Sequence, residues 1–68
     1  EGVIAAHFVV DSSGRVEPRS ITFESEGDAL FESAVRRALL ASRYEPARTS
    51  GRAVAMRVEQ EFAFRITP

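Results

Sequence analysis

From Ala53 to Ile66 the chain alternates between apolar and polar side chains. One parity is apolar and the other is charged: Val54, Met56, Val58, Phe62, Phe64 and Ile66 against Arg57, Glu59, Glu61 and Arg65. Successive side chains of a β-strand point to opposite faces, so the pattern predicts one long strand with an apolar face and a charged face. Gln60 interrupts the apolar series, and it marks either a bulge or the point where the cover of that face ends.

The length of this strand carries the first functional prediction. At about 3.3 Å per residue its fourteen positions would span roughly 45 Å, more than twice the length of a common strand. So small a domain cannot pair all of that backbone internally, and unpaired N–H and C=O groups form a docking surface for another chain. The charged face is predicted to be solvated, with a role in partner selection as the alternative. The sequence therefore predicts recognition of a partner by strand pairing.

Two other strands precede the long one. The first runs from Gly2 to Val10 and is apolar on both parities, which is typical of a central strand. Its two faces are Ile4, Ala6, Phe8 and Val10 on one side, and Val3, Ala5, His7 and Val9 on the other. After a turn at Asp11-Ser12-Ser13-Gly14, the second strand is predicted from Arg15 to Glu24. It contains Pro18, which cannot donate a ladder hydrogen bond, so this strand belongs at an edge of the sheet.

A helix is predicted between the second and third strands. Ser25 and Asp28 are its candidate N-caps. Helical spacing gives a buried stripe with these members: Phe31, Ala34, Val35, Ala38 and Leu39, with Leu30 beside them and Leu40 as an apolar exception on the polar face. Because Pro46 disfavours helical geometry before it, the helix should end near Ser42 or Arg43.

The connections between these elements predict the topology. A hairpin makes the first two strands antiparallel, and a helix that crosses one face returns the chain so that the third strand pairs antiparallel with the first. The predicted fold is an α+β domain of β-β-α-β order, with a three-stranded antiparallel sheet in the order 2-1-3 and one helix packed on one face. The other face has no cover within these residues. Its apolar members Val3, Ala5 and Val9 are predicted to form a dimer face or to lie under an upstream segment.

Composition narrows the functional classes. The 68 residues are predicted to form a single small domain, residues 1–68. The net charge is −1, with nine basic and ten acidic residues scattered along the chain, so neither a nucleic acid nor an anionic membrane is expected as a partner. The absence of cysteine excludes a disulfide framework and a thiolate metal site. The chain shows neither a signal peptide nor a long apolar run, and it begins at Glu1 without methionine, so we expect it to be excised from a longer protein.

No catalytic site, metal site or cofactor is predicted. His7 is the single histidine, and the sequence indicates no acidic or cysteine cluster that would supply a second metal ligand, so its role is predicted to be structural. A Ser-His-Asp site built on His7 and Asp11 fails because both residues lie in or beside one strand and no nucleophile motif accompanies them. Glu24, Glu26 and Asp28 lack the spacing of a calcium loop. The chain is therefore not expected to be an enzyme.

An ordered set of short segments covers nearly the whole chain. The segments are Gly2-Val3, Phe8-Val9-Val10-Asp11, Gly14-Arg15-Val16, the stretch from Leu30 to Leu39, Arg43-Tyr44-Glu45-Pro46-Ala47, Gly51-Arg52-Ala53-Val54 and Phe62-Ala63-Phe64. In this order and spacing they resemble the C-terminal domain of TonB, the energy transducer of the bacterial cell envelope. The run from Arg43 to Ala47 carries the largest part of the resemblance.

The resemblance implies a periplasmic domain of an inner-membrane-anchored bacterial protein, which reaches the membrane only through an N-terminal anchor outside this sequence. In the family the last strand receives a short segment of an outer-membrane transporter, a TonB-box-like peptide, as an added strand. Carried over to this chain, the partner-strand binding residues are Met56, Arg57, Val58, Glu59, Gln60, Glu61, Phe62, Ala63, Phe64 and Arg65. The C-terminal domain of TolA is similar in architecture, so an interaction module of another envelope protein stays open.

Self-association is the second hypothesis. Two copies would join their last strands and their uncovered faces at Val3, Ala5 and Val9 into a homodimer with a continuous or intertwined sheet. A dimer that forms without any ligand would distinguish this hypothesis from peptide capture.

Overall fold

The part of the chain that the structure describes forms one antiparallel sheet, one α-helix and a small separate hairpin. The computed structural model describes residues 2–24 and 29–64. Its elements in chain order are β1 (Gly2–Val10), a 3₁₀ helix (Pro18–Ser20), β2 (Thr22–Phe23), α1 (Ala29–Ala41), β3 (Ala47–Thr49), β4 (Arg52–Val54) and β5 (Met56–Phe64). The sheet has the order β2-β1-β5 with both pairings antiparallel, and β3 pairs with β4 alone. The predicted α+β class and strand order are confirmed.

The even-numbered face of β1 forms the centre of the hydrophobic core. Burial alternates along this strand as the sequence predicts, since Ala6 and Phe8 are completely buried whereas Val3 is 59% exposed. The buried hydrophobic residues of the described chain are Ile4, Ala6, Phe8, Val10, Val16, Ile21, Val35 and Leu39. Complete burial of a large apolar side chain stabilises a fold by about 1.5–3 kcal/mol, so Phe8 and Leu39 anchor this core.

The second strand is much shorter than predicted. Of the stretch from Arg15 to Glu24, only Thr22 and Phe23 form a strand, and Val16 makes a single isolated bridge to Val10. Pro18 instead begins the 3₁₀ helix Pro18–Ser20. Proline has its φ fixed near the helical value and has no N–H to donate, which favours this turn over a continued strand.

Ser20 replaces the missing strand backbone. Its hydroxyl accepts a hydrogen bond from the Val9 N–H at 2.8 Å and donates one to the Glu17 carbonyl at 2.7 Å. The Glu17 N–H donates in turn to the Val9 carbonyl at 2.9 Å. The backbone of Val9 is therefore satisfied on this side of β1, although β2 does not extend as far as Val9.

The predicted long strand from Ala53 to Ile66 is wrong as one continuous element. Ala55 separates β4 from β5, and β4 pairs with β3 through a hairpin turn at Ser50 and Gly51. Both turn residues have positive φ, 52° for Ser50 and 78° for Gly51. A two-residue turn with positive φ at both positions matches the right-handed twist of the strands that it joins. Part of the excess strand length thus finds its partner within the chain. The end of the predicted strand, from Arg65 onward, lies outside the described residues.

The helix covers the sheet with a narrower stripe than predicted. Val35 and Leu39 are buried and Phe31 packs against the core at its side. Ala34 and Ala38 are exposed, and Leu30 is 82% exposed, so these three predicted stripe members are wrong. The sheet beneath has only three strands, and a single row of residues four apart, Phe31, Val35 and Leu39, packs against it.

The helix end is close to the predicted position. The helix ends at Ala41, and the next residue, Ser42, closes it with a hydroxyl that donates to the Ala38 carbonyl at 2.7 Å. The Ser42 N–H donates to the Leu39 carbonyl at 3.2 Å. The candidate N-caps Ser25 and Asp28 lie outside the described residues.

The turn after β1 is organised by one carboxylate. Oδ1 of Asp11 accepts hydrogen bonds from the Ser13 hydroxyl at 2.7 Å, the Ser13 N–H at 2.9 Å and the Arg15 N–H at 3.0 Å. These bonds favour the charged form. The hydroxyl of Ser13 has the largest influence and the backbone of Arg15 the next, and together they hold the pKa of Asp11 below its ordinary value.

This lowered pKa predicts a pH dependence of folding stability. A carboxyl group whose pKa is depressed in the folded state stabilises the fold above its unfolded pKa, and the contribution is lost as pH falls through the folded pKa. We expect wild type to lose more stability below about pH 4 than Asp11→Asn, whose amide oxygen still accepts hydrogen bonds but does not titrate. Urea unfolding midpoints of both proteins at pH 7 and pH 3 measure the difference. Equal losses in the two proteins would contradict this role of Asp11.

Candidate functional site: the outer edge of β5

β5 lies at one edge of the sheet. It pairs along its whole length with β1, from Met56 opposite Val10 to Phe64 opposite Gly2. Within residues 2–24 and 29–64 no strand pairs with its other side. Nine residues at about 3.4 Å each give an edge of roughly 30 Å.

Hydrogen bonds on the far side of β1 reveal which β5 backbone groups point outward. Ala5 and Val9 use their backbone toward β2 and the 3₁₀ helix, since they bond with Glu24, Glu17 and Ser20. The N–H and C=O groups of a strand residue lie on the same side and alternate along the chain. The even-numbered residues of β1 therefore bond to β5, and they face the even-numbered residues of β5.

It follows that the odd-numbered residues of β5 present their backbone to solvent. These residues are Arg57, Glu59, Glu61 and Ala63. Each offers one donor and one acceptor at the open edge. The sequence predicted ten consecutive binding residues, and the register divides them into residues that bind the core strand and residues that face outward.

The side chains of β5 differ between its two faces. Val58, Gln60 and Phe62 lie half-buried on the core face, and Met56 is 53% exposed at the end of the strand. Arg57, Glu59, Glu61 and Ala63 are exposed on the opposite face. Of the remaining predicted site residues, Phe64 is described only by its backbone, and Arg65 lies outside the described residues.

The edge has few of the features that block strand addition. Natural edge strands are protected by charged side chains, by proline, by bulges or by a covering element, and of these β5 has the charged side chains of Arg57, Glu59 and Glu61. β5 contains no proline, and its register against β1 is continuous through the pair of Gln60 and Ala6. Of the two alternatives for Gln60, the bulge is therefore wrong.

Tyr44 links this strand to the core and to the first turn. Its ring lies 5.8 Å from that of Phe8, centroid to centroid, and its hydroxyl is 3.4 Å from Oε1 of Gln60, to which it donates. Its N–H donates to the Gly14 carbonyl at 2.8 Å. The segment that follows α1 thus contacts both the first turn and β5, and it supports β5 from the core side.

A cluster of three potential ligands lies on the face of the sheet opposite the helix. Nε2 of His7 is 2.8 Å from Oε2 of Glu24, and Glu59 lies directly opposite His7 across the strand pair. The ligand atoms of these three side chains all lie within 4.8 Å of one another. This corrects the expectation that His7 has no second potential ligand nearby. Sequence reasoning missed this cluster because the three residues are far apart in the chain, and only the strand register brings them together.

The predicted dimer face is partly exposed. Val3 is 59% exposed, whereas Ala5 and Val9 are half-buried. Its role in pairing with a second copy stays a prediction.

The chain matches the family of the Gram-negative bacterial TonB protein C-terminal domain over residues 1–66. It therefore belongs to the TonB C-terminal domain family. The family consists of periplasmic protein-interaction domains and is not an enzyme family. A comparison with curated proteins finds no match. Within the described residues no helix is long and apolar enough to cross a membrane.

Proposed function

We propose that this chain is the periplasmic peptide-capture domain of a TonB-like energy transducer. It binds an extended segment of an outer-membrane transporter, which adds to the sheet as a fourth strand beside β5. The observation that carries the proposal is the outward-facing backbone of Arg57, Glu59, Glu61 and Ala63 along a regular open edge. The proposal includes an inner-membrane anchor elsewhere in the protein, and the full-length gene sequence tests that part.

Main-chain pairing supplies the affinity in this mechanism. Each outward residue exchanges hydrogen bonds with the incoming strand, and a net hydrogen bond is worth about 0.5–1.5 kcal/mol. Several such bonds are needed to offset the conformational entropy that an extended peptide loses on binding. Capture therefore requires an uninterrupted edge from Arg57 to Ala63.

Side chains on the two faces supply the selection. Alternate residues of the incoming strand lie beside Met56, Val58 and Phe62 on the core face, where apolar side chains gain contact. The other residues lie beside Arg57, Glu59 and Glu61. We infer that the preferred peptide alternates, with apolar side chains on one face and polar or basic side chains on the other.

A proline at Glu59 is the direct test. Glu59→Pro removes an outward N–H and places a ring where the partner carbonyl would lie, without taking a hydrogen bond from the pairing with β1. We expect this variant to remain folded and to lose binding of a transporter-derived peptide in an NMR titration. Glu59→Ala should change the affinity by less than about 1 kcal/mol, since it removes only an exposed charge.

Gln60→Pro is the matched control for the register. The Gln60 N–H points to β1 in the assigned register, so proline at this position removes a ladder hydrogen bond and should destabilise the sheet itself. If a folded Glu59→Pro variant binds as well as wild type, the receiving edge lies elsewhere and the assignment from Met56 to Arg65 is wrong.

The same edge could instead pair with a second copy of the chain. Two observations support this alternative: the edge of β5 is open, and Val3 is exposed. Sedimentation of the peptide-free samples separates the two functions. A stable dimer that excludes the peptide supports self-association, whereas a monomer that binds the peptide supports capture.

A further inference from the structure

The cluster of His7, Glu24 and Glu59 draws its members from both sides of the central strand. His7 lies in the middle of β1, Glu59 faces it from β5, and Glu24 follows β2 directly. The Glu24 N–H donates to the Ala5 carbonyl at 3.0 Å, which holds its backbone beside β1. Two neighbours of one strand thus present carboxylates to the same imidazole.

The register brings His7 and Glu59 particularly close. The even-numbered residues of β1 make the hydrogen bonds to β5, so His7 and Glu59 form a non-hydrogen-bonded pair. Such pairs have their Cα atoms about 4.5 Å apart, against about 5.5 Å for hydrogen-bonded pairs, and their side chains are closer. The backbone therefore positions this pair without help from any loop.

The charges in the cluster are unbalanced. Glu24 is paired with His7, and no described arginine lies within 4.0 Å of either carboxylate of the cluster. Arg57 lies on the same face but is opposite Val9, one pair further along the strands. Two carboxylates beside one imidazole carry a surplus of negative charge when the imidazole is neutral, and a divalent cation would balance it.

The donor set indicates the kind of cation. An imidazole nitrogen with two carboxylate oxygens suits zinc and related divalent transition metals, whereas magnesium and calcium prefer oxygen ligands alone. Bonds of 2.0–2.2 Å in a tetrahedral site place ligand atoms about 3.4 Å apart. The separations in the cluster, from 2.8 Å up to 4.8 Å, span this value, and both glutamate side chains are exposed and free to adjust.

We propose that His7, Glu24 and Glu59 form a zinc-binding site on the open face of the sheet. Nε2 of His7 and one carboxylate oxygen from each glutamate are the three protein ligands. The fourth position is open to solvent, where water completes the coordination. A bound ion joins β1 to β5 on one side and to the residue after β2 on the other, so it stabilises the sheet that carries the proposed receiving edge.

Zinc titration of the untagged 68-residue chain tests this site. His7 is the only histidine and the chain has no cysteine, so the imidazole signals in an NMR spectrum report on one residue. We expect ZnCl₂ to shift these signals with a stoichiometry of one, and magnesium to leave them in place. The melting temperature should rise with zinc concentration, because a ligand that binds only the folded state stabilises it.

Ligand variants and one matched control complete the test. Even a residue that only supports a metal ligand is worth about 10- to 100-fold in affinity, so His7→Gln, Glu24→Gln and Glu59→Gln should each weaken zinc binding by at least about tenfold in calorimetry. Glu61→Gln makes the same charge change on the same face of β5 and should leave the affinity within about twofold, as expected for an exposed charge outside the site.

Three results would overturn the proposal. The first is a zinc titration that leaves the His7 signals unchanged. The second is equal weakening by Glu59→Gln and Glu61→Gln, which would indicate diffuse attraction to an acidic face. The third is a His7→Gln protein that binds zinc as wild type does. The exposed Glu59→Gln variant keeps the test decisive even where His7→Gln fails to fold. No peptide is present, so the outcome is independent of strand capture.

Discussion

Val35→Asp is expected to unfold the domain. Val35 lies in the middle of α1, is 5% exposed and belongs to the hydrophobic core. The described residues include no buried polar or charged side chain that would accept a carboxylate as a partner. Burial of an unpaired polar group costs several kcal/mol, and a charged group costs more. At roughly 0.1 kcal/mol of stability per residue, a domain of this size has only about 7 kcal/mol in total.

Ala34→Asp is the matched control. Ala34 is the preceding residue of the same helix, and the structure places it at the surface, although the sequence pattern predicted it in the buried stripe. The change from alanine to aspartate costs roughly 0.6 kcal/mol of helix propensity and should add little else. Circular dichroism melts of both variants decide the matter. A cooperative transition of Val35→Asp near that of wild type would contradict the packing of α1 on the sheet, and unfolding of both variants would favour the wider stripe.

The contrast between Ala34 and Val35 shows what the sequence could predict about the helix. Apolar spacing identified the helix and its buried side, and Pro46 indicated its end near Ser42 or Arg43. It could not give the width of the stripe, because alanine fits both a core and a surface and the sheet beneath is narrow. The exposure of Leu30 could not be predicted either, because the sequence does not show how narrow the sheet is.

The strands show a similar division. The apolar residues on both faces of β1 predicted a central strand, and the connections between the elements predicted its antiparallel neighbours. The alternation continues from Val54 to Met56, so it could not reveal that Ala55 separates a hairpin from β5. Periodicity shows which face of a strand a side chain lies on, but it does not show which strand the backbone pairs with.

The two candidate sites differ in how much of each could be predicted from the sequence. The receiving edge was predicted from strand length and from the family resemblance, but the outward set at Arg57, Glu59, Glu61 and Ala63 needs the register of β1 against β5. The cluster around His7 was missed for the same reason. Its glutamates are 17 and 52 positions away in the chain, and only the pairing on both sides of β1 brings them to one imidazole.

Gly14→Ala is expected to be strongly destabilising. Gly14 is buried in the turn after β1 and has a φ of 89°, a conformation that side chains with a Cβ rarely adopt. A Cβ at this position would overlap the carbonyl oxygen of Tyr44. The neighbour that must move is backbone, and it belongs to the residue that bonds to Gly14 and packs its ring on Phe8.

Gly51→Ala separates conformational strain from this close approach. Gly51 has a similar φ of 78°, but a Cβ there would meet no atom within 4 Å. Its replacement should therefore cost only the left-handed conformation, about 1 kcal/mol, or roughly 4–8 °C in melting temperature. Gly14→Ala carries the same strain and also displaces Tyr44, so we expect a loss of at least about 3 kcal/mol and a fall of at least about 12 °C. Thermal melts of the two variants measure the difference, and equal melting temperatures would show that the contact between the first turn and the segment after α1 contributes nothing to stability.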